Sequence, residues 1–366
     1  MNKFRVTVRI SSVILLFLLY LGCDRRYEER NDAGPWSRSN PEAQNMDGDL
    51  LSGMVDAVDG GHFGSVHSIL IIRNDHLVLE EYFRGYHSGE RHALYSVTKS
   101  FTSCLIGQAL EQGHIDSLSK KLLNFFPEYP RDSLKENITL NHILSMSAGI
   151  QWNELSMTYE EPQNDLFGLA YSSDWIQYML SRPMEYPPGT QFVYNSGCSV
   201  LLSGVIKKTT GVTAEEFAAK NLFNRIGITD WSWDSGPNGI TNTGWGLSLR
   251  PIDMARLGYL YLNNGQWDTV AVVKENWVSL STSDKISAGM YFRYAYQWWR
   301  FSNDHPVASV LSTNDVYFAW GYGGQFIFVI PHLSMVVAFT AGNFIGGSDG
   351  YAFTLLKDYI VPAVKN

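Results

Sequence analysis

Ser96-Val97-Thr98-Lys99-Ser100-Phe101-Thr102-Ser103-Cys104-Leu105 is the stretch on which the reading of this 366-residue chain turns. Val97, Phe101, Cys104, Leu105 and Leu110 fall at helical spacing, so an amphipathic helix is expected, opened by Ser96-Val97-Thr98-Lys99 and closed by Gly113 at its C′ position. Three residues on a helix put Lys99 on the face of Ser96, within reach of its hydroxyl. A serine in the first turn also has unpaired backbone N–H groups around it and the positive end of the helix dipole, which favour attack by its oxygen and a nearby oxyanion. In isolation the Ser-x-x-Lys pattern is weak, since a helix-capping Ser with a surface Lys reads the same way. The pattern recurs at Ser117-Leu118-Ser119-Lys120, in a polar stretch between Gly113 and Leu122 that reads as a solvated turn.

Outward from this helix, residues 68–73 and 76–80 form two apolar runs around Asn74-Asp75, a hairpin with a tight turn. Arg250-Pro251 opens another helix, with Met254, Leu257, Leu260 and Tyr261 on one face and Asn264-Gly265 at its end. Residues 326–330 and 335–340 are strands joined by Pro331-His332-Leu333-Ser334, and a last helix covers about 353–361. Strands thus cluster at both chain ends. The expected fold class is α+β: an antiparallel sheet from both ends, flanked by helices, with a mostly helical lobe inserted. The expected boundaries are 46–125 and 286–366 for the sheet lobe and 126–285 for the helical lobe, with a cleft between them.

Two further segments carry candidate chemistry. Pro187-Pro188-Gly189-Thr190 is a turn leading into Gln191-Phe192-Val193-Tyr194-Asn195-Ser196, where alternation lets Tyr194 and Ser196 face one way. Trp320-Gly321-Tyr322-Gly323-Gly324-Gln325 precedes a strong strand; its glycines suit either close approach of a ligand to the backbone or a hairpin turn. Trp245, Tyr296, Trp298, Trp299 and Trp320 are candidates for a cleft wall, with core packing the equal alternative for each. Gly346-Gly347-Ser348-Asp349-Gly350 matches G-x-S-x-G, but no His follows it in the chain, so it reads as a glycine-rich turn. There is no HExxH, Cys-x-x-Cys or P-loop, and the nine His lack ligand spacing.

Taken together these segments resemble the serine β-lactamase and penicillin-binding-protein superfamily over roughly residues 50–362. Ser96-Val97-Thr98-Lys99 matches S-x-x-K; Tyr194-Asn195-Ser196 matches Y-x-N with Ser in the last place; Tyr322-Gly323-Gly324 falls where the family has Lys or His before a glycine. Leu144-Ser145-Met146-Ser147-Ala148-Gly149, Trp245-Gly246-Leu247-Ser248-Leu249 and the stretch from Arg250 to Gly258 fit the surrounding text. The Tyr-Asn-Ser and Gly-Tyr-Gly-Gly-Gln variants look most like the 6-aminohexanoate-dimer-hydrolase and family VIII esterase branch. The resemblance implies a Ser96 acyl-enzyme formed from an ester or amide, with Lys99 and Tyr194 as proton-transfer groups and the formal base left open between them. It implies an oxyanion hole from the backbone N–H groups of Ser96 and Gln325, a Ser196 that hydrogen-bonds Lys99 or the substrate, and substrate contacts from Tyr322, Gly323 and Gly324. No metal or cofactor is required. The alternatives are a peptidoglycan DD-peptidase or β-lactamase, and an inactive ligand-binding module of the same fold.

Composition agrees with an enzyme body. Charged residues are 17% and aromatic residues 14%, which excludes a disordered chain. A net charge of −8 without a basic block speaks against nucleic acid as a partner, and three Cys are too few for a disulfide framework. At the N-terminus, Lys3, Arg5 and Arg9 precede an apolar run at 10–21 broken only by Ser11 and Ser12. About twelve residues are too short to span a ~30 Å hydrocarbon core but suit a signal peptide over 1–22. Gly22-Cys23 after it resembles a lipobox, departing at Tyr20 where Leu is usual. Cys23 is the expected lipidation site on an exported protein; the alternative is ordinary cleavage with Cys23 incidental. Residues 23–45, polar apart from Trp36, read as a flexible tether between that lipid and the body.

Overall fold

The computed structural model describes residues 35–344 and 350–365. The signal segment, Cys23, the first part of the tether and residues 346–349 of the glycine-rich turn lie outside the described residues.

Fourteen strands are labelled in chain order: β1 (Ser37–Arg38), β2 (Val66–Arg73), β3 (His76–Tyr82), β4 (His92–Ala93), β5 (Trp231–Trp233), β6 (Leu247–Leu249), β7 (Gln266–Trp267), β8 (Val270–Ala271), β9 (Ile286–Ser287), β10 (Phe292–Tyr294), β11 (Trp299–Phe301), β12 (Tyr317–Gly321), β13 (Gln325–Ile330) and β14 (Met335–Ala341). Nine of them form one sheet in the order β1-β3-β2-β14-β13-β12-β11-β10-β9. Every pair in it is antiparallel except β1 with β3. The expected hairpin is present: Arg73 pairs with His76, and Asn74 and Asp75 take φ of 46° and 62°, the left-handed pair that a two-residue turn needs. β14 pairs with β2, so the two chain ends meet in the centre of the sheet, as expected.

The helices are α1 (Gly48–Asp59), α2 (Thr98–Glu111), α3 (Leu140–Leu144), α4 (Asp165–Tyr171), α5 (Trp175–Ser181), α6 (Ser196–Thr210), α7 (Ala214–Asn221), α8 (Pro251–Leu262), α9 (Glu275–Thr282) and α10 (Tyr351–Leu355), the last continuing as a π-turn through Ile360. Alternate strand residues separate the sheet's two faces. Leu70, Ile72, Ile327, Val329, Val336 and Ala338 pack in one core with α2, α6 and α8. Ile69, Ile71, Phe326, Phe328, Val337 and Phe339 pack in the other with α1, α10 and the π-turn. The sheet is therefore covered on both faces, and all eight residues of β2 are buried.

Three expectations are corrected. First, α2 is not amphipathic: every residue from Thr98 to Ala109 is buried. Its polar face is consumed inside the protein, with Ser100 donating to the Gln297 carbonyl and Thr102 to the Thr98 and Thr243 carbonyls. Second, α8, counted in the helical lobe, lies on the sheet. A methyl group on Gly258 would press on Val336 and Ile327, so glycine lets the helix sit that close. Third, residues 35–45 of the tether belong to the body. Trp36 is buried against Tyr259 and Trp267, and β1 extends the sheet beside β3. The polar composition concealed one large ring, and burying it is worth enough to fix a short segment.

Candidate active site

Ser96 sits in a 3-10 turn, Tyr95–Val97, that runs directly into α2. Tyr95 holds a left-handed φ of 47°, a strained conformation for a residue with a side chain, and its ring packs edge-on against Tyr322 and Phe344. One turn on, Lys99 is 1% exposed. Its Nζ donates to Ser96 Oγ at 2.9 Å, to Ser196 Oγ at 2.9 Å and to the Gly244 carbonyl at 2.8 Å. Burial pulls the Lys99 ammonium down to about 8, against the opposing pull of Glu154.

Asn195 caps α6 by accepting from the Cys198 N–H at 3.0 Å, and this leaves Ser196 as the helix's first residue. Tyr194, just before the cap, stands with its ring centroid 4.9 Å from Lys99 Nζ and stacked on Trp299. Tyr194 and Ser196 thus converge on Lys99, as their alternation suggested. Burial, then Tyr294 and Glu154, raise the Tyr194 phenol well above its ordinary value, while a hydrogen bond with Ser96 lowers it.

Ser96 opens onto two cavities. The larger, about 830 Å³, is lined by Tyr194, Phe192, Phe292, Trp299, Trp320 and Gly321, among others. The smaller, about 460 Å³, is lined by Tyr95, Phe167, Tyr171, Ser196 and Trp245, among others. Tyr159 and Tyr322 line both and meet edge-on, 4.8 Å between centroids. Of the five aromatic residues proposed as a cleft wall, Trp245, Trp299 and Trp320 line these cavities. Trp298 and Tyr296 are core.

The glycine-rich hairpin divides differently from the sequence reading. Gly323 and Gly324 have φ of 78° and 98°, and side chains on them would run into Phe344 and Tyr351, so they make the turn between β12 and β13. Gln325 is 1% exposed, and its side chain bonds the Tyr322 and Ala341 carbonyls and the Ala341 N–H. None of these three lines the cavities. Gly321 and Tyr322 do, and a methyl group on Gly321 would collide with the Leu94 carbonyl and lie 3.3 Å from the Ser96 nitrogen. Tyr322 itself donates to the Phe344 carbonyl at 3.0 Å.

One residue escaped sequence reasoning. Glu154, 2% exposed, accepts from Ser196 Oγ at 2.6 Å, from the Ser196 N–H at 2.8 Å and from Trp152 Nε1 at 2.8 Å. It lies 42 positions from Ser196, so no local spacing marks it. The Gly244 carbonyl, a backbone group, left no trace in the sequence at all. Cys104 and Cys198 are both free and buried, and burial raises both thiols.

A large, mostly antiparallel sheet with helices on both faces, and a Ser-Lys-Tyr cluster beside the end of its interior strand β12, is the architecture of β-lactamase-fold hydrolases. The chain belongs to the Beta-lactamase family, whose model matches residues 54–357. The 6-aminohexanoate-dimer hydrolase of Paenarthrobacter ureafaciens is 23% identical over 291 residues, 74% of this chain and 71% of that protein. Lovastatin esterase of Penicillium rubens is 28% identical over 159 residues, 37% of this chain and 38% of that protein. A solved structure from Bacillus anthracis, assigned as a 6-aminohexanoate-dimer hydrolase, superposes with a TM-score of 0.74 at 20% identity, covering 90% of this chain and 88% of that one.

Proposed function

We propose that the protein is an exported serine hydrolase that cleaves an ester or amide through an acyl-enzyme on Ser96, with Lys99 and Tyr194 moving the protons. The observation that carries this reading is a buried Lys99 amine 2.9 Å from Ser96 Oγ, at the junction of two cavities. A lysine lowered to about 8 is roughly one-tenth neutral at pH 7, enough to accept the Ser96 proton. Ser96 Oγ then bonds to the acyl carbon, and the Ser96 N–H faces the oxyanion. The proton passes by way of Tyr194, which burial keeps protonated, to the leaving alcohol or amine. Water attacks the acyl-enzyme next, and its proton returns along the same path to Ser96.

The charged residues lining the two cavities are Glu154, Glu160 and Glu161. Where the family has Lys or His, Tyr322 has an uncharged hydroxyl whose hydrogen goes to the Phe344 carbonyl. A substrate carboxylate therefore finds no cation among the described residues lining the cavities and meets acidic neighbours instead. This favours uncharged acyl groups over β-lactams. Steady-state kinetics should give measurable turnover of short-chain p-nitrophenyl esters and little or none of nitrocefin. A nitrocefin efficiency above that of every ester would favour the β-lactamase alternative instead.

The same reading holds the protein at a membrane through acyl chains on Cys23. Among the described residues no helix is long and apolar enough to cross a membrane. A multiply acylated cysteine anchors firmly where one chain binds only marginally. The full-length protein should enter the detergent phase on phase partitioning, and Cys23→Ser should release it or block its processing. A wild-type protein found in the aqueous phase contradicts the anchor.

A further inference from the structure

We infer that Glu154 is a positioning residue for Lys99: joined to it through the Ser196 hydroxyl, the carboxylate governs whether the Lys99 amine carries its proton when Ser96 reacts. The inference rests on the proposed role of Lys99 as proton acceptor.

Counting hydrogens fixes the direction of every bond in this chain. A serine hydroxyl has one hydrogen to give. Ser196 Oγ receives a hydrogen from Lys99 Nζ at 2.9 Å, so its own hydrogen goes to Glu154 Oε1, 2.6 Å away. Glu154 Oε2 accepts from the Ser196 N–H and from Trp152 Nε1, each at 2.8 Å. All three of these bonds present hydrogen to the carboxyl group, the pattern that suits an acceptor-only carboxylate. At the other end, the three N–H bonds of the Lys99 ammonium meet three acceptors, Ser96 Oγ, Ser196 Oγ and the Gly244 carbonyl. The resting pair is thus an ammonium and a carboxylate with one hydroxyl between them, 1% and 2% exposed. Two charges so buried are each costly without the other.

Removing the Glu154 charge therefore lets the Lys99 amine give up its proton at a lower pH, and removing the Ser196 hydroxyl takes away one of the three acceptors that fix the amine beside Ser96. The titratable groups facing the pair from neighbouring segments are Tyr194, Tyr294 and Cys198, and burial raises all three, so they stay uncharged around neutrality. Glu154 is then the charge that opposes the burial of Lys99.

The test is the pH profile of kcat/KM for a p-nitrophenyl ester, on the full chain, for wild type, Glu154→Gln and Ser196→Ala. Wild type should show an acid limb with its midpoint near 8. Glutamine keeps the size and one acceptor oxygen but removes the charge, so the midpoint should fall by about one unit. Ser196→Ala keeps the charge but cuts the link; its plateau should drop tenfold or more with the midpoint within half a unit of wild type. A Glu154→Gln protein with a lower rate and an unmoved midpoint would reduce Glu154 to a structural role and overturn the inference. Should Glu154→Gln not fold, a Ser196→Ala plateau within threefold of wild type overturns it equally. Failure of the underlying reading looks different: wild type itself would then lack the acid limb, and Lys99→Ala would keep its turnover.

Discussion

The same four-residue pattern occurs at Ser96–Lys99 and at Ser117–Lys120, and the fold treats the two copies in opposite ways. Lys99 is 1% exposed, donates to Ser96 Oγ and is pulled by burial down to about 8. Lys120 reaches solvent, pairs with Asp116 at 2.8 Å and rests over the Phe125 ring. Ser117 is exposed, and its oxygen accepts from the Ser119 N–H within its own turn. An ion pair in water is worth ~0–1 kcal/mol and leaves a lysine an ordinary cation. In the proposed mechanism, loss of water is what lets Lys99 act as a proton acceptor. The motif supplies the spacing, and the helix buried on every side supplies the chemistry.

The comparison breaks most visibly at the proposed nucleophile. Ser96→Ala should lower ester turnover by on the order of 10⁴–10⁶ while leaving the melting temperature within a few degrees of wild type. Retained turnover in that variant would remove the distinction between the two copies. Smaller effects are expected one step back. Lys99→Ala and Tyr194→Phe should each cost about 10²–10⁴ in kcat/KM, and the double variant should be little worse than the singles, since both serve one proton path. Additive losses would mean that they act separately. At the small end, Ser117→Ala and Lys120→Ala should leave kcat/KM within about twofold and stability within ~0.5 kcal/mol of wild type, as exposed side chains away from a site do. A large loss from either would show that the second copy is not a surface turn.

How far the sequence carried depended on the range of the signal. The Asn74-Asp75 turn, Pro251 at the start of α8 and the run 326–340 are local features, and each produced the expected element. The meeting of β2 with β14 followed from strands clustering at both ends. The polar face of α2 misled because Ser100 and Thr102 resemble solvent-facing residues until the carbonyls that receive them, on Gln297 and Thr243, are seen. Trp36 looked isolated because its partners, Tyr259 and Trp267, lie more than two hundred positions away.

The site divides along the same line. Ser96, Lys99, Tyr194 and Ser196 come from two short segments whose internal spacing is local, and the structure brings all four together. In the third segment the tight turn decides which residues reach the cavities: β12 ends at Gly321, Gly321 and Tyr322 line the cavities, and Gly323 and Gly324 then carry the chain away from them. Glu154 enters from a loop with no motif of its own, and only the folded chain sets it beside Ser196.

The central claim is that Ser96 alone among the candidate serines is an activated nucleophile. Labelling the intact protein with a fluorophosphonate, digesting it and mapping the adduct by mass spectrometry tests this directly. The account predicts one adduct, on the peptide containing Ser96, lost in Ser96→Ala and slowed in Lys99→Ala. An adduct on the peptide containing Ser117 or Ser348, or labelling that survives Ser96→Ala, would contradict it.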